Sequence, residues 1–203
     1  MAFYVRKFAR AKWNVLEKDS ENIIENYNAD TIANDMRTQG NTISLWKVKS
    51  LSDKDIEPVL VINSLLGDTI SKIDLLFIPE EMLGEYLLEQ EDGDTVVSKY
   101  RHLHYNVVKL SVKTHILFAK NIVLKILEDE KTNKETQGQA GLIKRIAEKK
   151  QFEMIEKWIA QGDIEFTQLK ERQQSAIEKY REKAKKAKIL FPPLKKTEFS
   201  VAQ

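Results

Sequence analysis

The stretch Ile73-Asp74-Leu75-Leu76-Phe77-Ile78 decides the fold class. Five of its six side chains are apolar and they follow one another without helical spacing. A run this short reads as a strand buried on both faces, not as a helix. Upstream of it, Ile56, Val59, Leu60, Asn63 and Leu66 recur at helical intervals. Ser52 with Asp55 three residues later makes a capping box that uses Asp where Glu or Gln is usual. Gly67 ends the helix, while Pro58 sits awkwardly inside it and leaves a buried strand over 59–62 as the alternative. Downstream, Pro79 suits a first helical turn, and 80–88 predicts a helix whose acidic residues face the positive end of its dipole.

Further out on the amino-terminal side, residues 3–13 alternate. Phe3, Val5, Ala9, Ala11 and Trp13 fall on one side of a strand, with Tyr4, Arg6, Phe8, Arg10 and Lys12 on the other. Lys7 breaks the apolar set, which fits an edge strand or a bulge. A short helix is expected over 31–36. Thr38-Gln39-Gly40-Asn41 reads as a turn, with Gly40-Asn41 suited to positive φ, leading into a strand over 42–48. On the carboxyl-terminal side, the acidic stretch 89–94 is the best boundary. Beyond it one helix is predicted from Val107 to Ile126, a polar loop over 131–141, and a second helix from Leu142 to Ile159. A third helix starts at Asp163 or Thr167, runs through Lys188 and is halted by Pro192-Pro193. The expected class is therefore α+β: a small mixed sheet with flanking helices, then a three-helix carboxyl-terminal half. The divisions are 1–94, 95–191 and a tail over 192–203.

The 203 residues hold 33 Lys+Arg and 31 Asp+Glu. From residue 130 onward the count is 17 against 11, a balance of +6, which leaves 16 against 20, or −4, for residues 1–129. Such asymmetry marks either an anionic partner's contact surface or a solvated helical face. Cysteine is absent, which excludes disulfides, thiolate metal sites and thiol nucleophiles. The first residues lack the pattern of a secretory signal, and no apolar run approaches the ~18 residues that cross a bilayer. The expected location is cytoplasmic, with no membrane partner.

Residues of like chemistry cluster at three places in the sequence. Lys179, Arg181, Lys183, Lys185, Lys186 and Lys188 form a basic helix end suited to phosphates or another anionic partner. Arg6 and Arg10, interleaved with Tyr4 and Phe8, add a second cationic and aromatic surface. His102 and His104, with Asp94 ahead of them, are the catalytic or metal candidates, since two imidazoles on one strand face can meet a carboxylate. His115 follows eleven residues later. The loop Gly138-Gln139-Ala140-Gly141 reads as an interhelical connection. Phosphate-binding, dinucleotide-binding and zinc-protease motifs are missing, so no cofactor and no metal site is expected and the enzyme reading is disfavoured.

Arg6-Lys7-Phe8-Ala9-Arg10-Ala11-Lys12-Trp13 and the segment Arg37-Thr38-Gln39-Gly40-Asn41-Thr42-Ile43-Ser44-Leu45-Trp46-Lys47-Val48 resemble two segments of a group of uncharacterised bacterial proteins. The resemblance covers at most the first 80 or so residues and implies no activity. It is similar in kind to accessory components of phage-defence or toxin–antitoxin loci. The expected function is a non-catalytic interaction protein, an accessory or regulatory subunit with a protein partner. The alternatives are a nucleic-acid-binding protein or nuclease using the basic helix, and a homodimer burying Phe152, Trp158 and Phe166.

Overall fold

The computed structural model describes residues 1–9, 35–136 and 142–186, with side chains of 130–136 and 186 outside the description. Among these residues six strands form one sheet: β1 (Phe3–Phe8), β2 (Ile43–Val48), β3 (Ile73–Pro79), β4 (Leu88–Gln90), β5 (His104–Val107) and β6 (Ile143–Ile146). Their spatial order is β4-β5-β2-β1-β3-β6, and every pairing is antiparallel. Among the described residues four α-helices accompany the sheet: α1 (Asp53–Leu65), α2 (Val112–Thr136), α3 (Glu148–Ala160) and α4 (Glu171–Lys186). The class is α+β.

Strand alternation splits the core in two. Val5, Trp46, Val48, Ile73, Leu75, Phe77 and Ile146 face α1, α3 and α4. Tyr4, Phe8, Ile43, Leu45, Leu76 and Ile78 face the other way, against Phe118, Ala119, Ile122, Val123 and Ile126 of α2. β3 is buried along its whole length, because it lies between β1 and β6 and is covered on both faces. That is the environment its unbroken apolar run calls for.

Several local expectations hold. Ser52 caps α1, its hydroxyl accepting from the Asp55 N–H, and Pro58 lies inside the helix. Gly40 and Asn41 both have positive φ, at 59° and 60°, and Gln39 and Thr42 exchange main-chain hydrogen bonds across them. This is the hairpin-type turn that such a pair favours.

Others are corrected. Glu80–Leu83 is a single 3₁₀ turn, and the chain then becomes β4, so the helix expected over 80–88 does not form. Val107 ends β5, and α2 begins only at Val112. It continues to Thr136, through residues read as a loop. The second helix is expected to open at Leu142, but Ile143–Ile146 forms β6 at the sheet edge. The four residues from Ile143 pair with Leu76 to Ile73 of β3, and ladder bonds outweigh a pattern that suits either element. The third helix starts at Glu171, after a 3₁₀ turn over Phe166–Gln168. The sheet runs across the division expected at residue 94, since β5 and β6 both join it. Arg10, residues 31–34 of the helix expected over 31–36, Gly138 to Gly141, Lys188 and the tail lie outside the described residues.

Candidate interaction surface

The basic residues singled out in the sequence are not assembled into one patch. Arg6 lies on the α2 side of the sheet, whereas α4 packs on the opposite side. The Arg6 guanidinium is engaged internally. The β1–β2 register stops at Val5↔Trp46, and Arg6 fills the split beyond it, donating to the main-chain carbonyls of Asp35, Arg37 and Ser44. Burial lowers its pKa, and the nearby Asp35 carboxylate opposes that shift. Beside it, a cleft of about 320 Å³ is lined by Lys7, Ser44, Trp46 and buried Asn63 among others. Arg181 is likewise occupied. Its Nε donates to Glu156 at 2.8 Å and its guanidinium lies 4.8 Å from the Phe166 ring centre. Lys179, Lys183 and Lys185 remain exposed on α4, alongside exposed Glu178 and Glu182.

The three imidazoles diverge. Ser98–Leu103 is a 3₁₀ turn, so His102 and His104 do not share an extended strand face as the sequence reading required. His102 is exposed. His104 packs on Trp46, ring centres 5.0 Å apart, and its Nδ1–H donates to the Glu91 carbonyl. His115 Nε2 donates to the Met36 carbonyl at 2.7 Å, on the far side of the sheet. Asp94 is exposed. Among the described residues no three metal-ligating groups gather, and no described helix is long and apolar enough to cross a membrane. Phe152 and Trp158, expected between two copies, are buried within the chain. Phe152 stacks on Tyr180 at 4.6 Å, and Trp158 donates to Glu57.

A different surface stands out. Among the described residues, four of the seven exposed large apolar side chains belong to α2, namely Val112 (79%), Ile116 (41%), Leu117 (40%) and Leu124 (40%), while Met1, Leu66 and Leu87 lie singly elsewhere. At 3.6 residues per turn, Phe118, Ile122 and Ile126 face the sheet, so Leu117 and Leu124 fall on the opposite, outward side. Seven residues separate them, which is two turns on one line. Lys113 and Lys120 repeat the same spacing on one flank of that line, and neither has a described ion-pair partner.

The other flank is a groove of about 510 Å³ between α2 and the turn after β3. Asn121, Leu124 and Lys125 line one bank, with Glu81, Met82 and Glu85 on the other. Both banks are fixed. Lys47 reaches across the sheet to Glu80 at 2.8 Å, which raises the Lys47 pKa and lowers that of Glu80. The Glu80 N–H also donates to the Ala2 carbonyl. Further along, the Tyr86 ring meets Phe118 edge-on at 5.1 Å; burial raises the Tyr86 pKa, and neighbouring Asn121 opposes that shift. Lys125 is paired with Glu128 at 2.6 Å. Glu81 and Glu85 are exposed and have no described partner.

Sequence reasoning missed this surface. Leu117 was not singled out within the helix expected from Val107 to Ile126, and Glu81 and Glu85 entered only as acidic residues of the helix expected over 80–88. The available signal was the pair at i and i+7 off the main apolar stripe of α2. No protein-family model, curated protein or solved structure matches the chain.

Proposed function

We propose that this chain is a non-catalytic interaction protein, an accessory or regulatory subunit that docks a protein partner on the outward face of α2. The observation that carries the reading is the concentration of exposed large apolar side chains on that one helix. Exposed leucines in contiguity, rimmed by charge, mark association surfaces more than scattered ones do. Placement in a bacterial phage-defence or toxin–antitoxin system is carried by the sequence resemblance of 6–13 and 37–48 alone.

The test is site-specific photocrosslinking in the cell of origin, with the reactive group at position 117 and, as a control, at position 179. A discrete adduct from 117, absent from 179 and lost when Leu124→Glu is added, is the expected result. No adduct from 117 in cells that produce the protein would overturn the reading.

The exposed Lys179, Lys183 and Lys185 of α4 support a second reading, contact with a polyanion. With Arg6 and Arg181 engaged in the fold, that contact rests on a few lysines and disperses with rising salt. Retention on DNA or RNA at low salt that disappears in K179E/K183E/K185E is its signature.

A further inference from the structure

Building on the α2 reading, we infer that the partner element is a single amphipathic helix with a leucine-type stripe, whose basic flank lies against Glu81 and Glu85. Three features lead there. Leu117 and Leu124 lie two turns apart on a straight helical line, the interval at which a second helix laid alongside presents its own apolar side chains. An extended strand would have to find main-chain partners, and the outer face of a helix presents none. The receptor is also pre-set, because the Lys47–Glu80 ion pair and the Tyr86–Phe118 ring contact hold the two banks of the groove, which limits the ordering cost of binding.

The third feature is charge. The bank carrying Glu81 and Glu85 is acidic and unneutralised, and across the leucine line Lys113 and Lys120 are cationic. A docked helix therefore meets carboxylates along one side and ammonium groups along the other. Its complementary form is basic on the first side and acidic on the second, the arrangement by which flanking charges choose helical partners. A lipid surface would not read this dipolar arrangement, and a nucleic acid would be repelled by the acidic bank.

The test uses two synthetic helical peptides of about three heptads with the same leucine stripe. One has a lysine flank and a glutamate flank, and the other has glutamate on both. Fluorescence anisotropy with the full chain at low salt should favour the dipolar peptide by roughly fivefold, the scale set by two exposed charge pairs. In E81K/E85K, which changes only exposed side chains, the preference should reverse toward the all-acidic peptide. Equal affinities, or an order unchanged by E81K/E85K, would overturn the inference. If neither peptide binds while crosslinking from position 117 persists, the inference fails and the α2 reading survives. Loss of both brings down the two together.

Discussion

Gly93 lies where the acidic stretch suggested a domain boundary, yet its constraint comes from packing. A Cβ placed there would sit 2.4 Å from Trp46 Cη2 and 2.8 Å from His104 Cβ. The Gly93 N–H also donates to the Arg101 carbonyl, which holds the loop flat over the indole. Gly93→Ala must push Trp46 out of the core, an overpacking cost of about 1–3 kcal/mol. Urea denaturation should show that loss, and an unchanged midpoint would mean that the loop moves freely. Nothing in the residues around Gly93 foretold this, because Trp46 is almost fifty positions away. Arg6 teaches the same lesson. Its alternation with Tyr4 and Phe8 was legible, but its donation to three carbonyls depended on where β2 parts from β1.

At the scale of elements, α1, α3 and α4 are locked by a few long-range polar contacts. Gln173 of α4 donates to the Leu65 and Gly67 carbonyls, satisfying the end of α1 that its own hydrogen bonds leave open. Glu57 of α1 accepts from Lys157 Nζ and Trp158 Nε1, each at 2.7 Å. Burial alone would raise the Glu57 pKa, but these two donors outweigh it and hold the group below the usual range. With the folded pKa depressed, the unfolded chain binds more protons as the solution turns acid. The stabilisation from Glu57 is therefore present above its unfolded pKa of about 4.3 and is lost as pH falls through the folded value. Thermal melts of wild type and Glu57→Gln should differ at pH 7 and converge below that window; a constant difference would discount the ionised form. The capping of α1 by Ser52 was readable because it is local. The strand identity of 143–146 was not, because four residues with apolar ends satisfy both periodicities and only pairing with β3 decides between them.

Over the whole molecule, the sheet draws strands from both sides of residue 94. β5 completes the pairing of β2, and β6 pairs with β3 through the register partners Asp74 and Arg145, joined by two hydrogen bonds at 2.7 and 2.9 Å. A fragment of residues 1–94 would leave β2 and β3 with open edges and strip α3 and α4 from the core. It should show no cooperative unfolding transition by circular dichroism, whereas the full chain should; a cooperative fragment would establish 1–94 as a domain. The sequence by itself determined the α+β class, the buried strand at 73–78, the cap of α1 and the Gly40-Asn41 turn, each written within a few neighbouring residues. Only the tertiary structure decided which cations are used up inside, that the imidazoles part company, and that two leucines of α2 are left facing outward. Those outcomes depend on which distant groups become neighbours, and local periodicity carries no record of that.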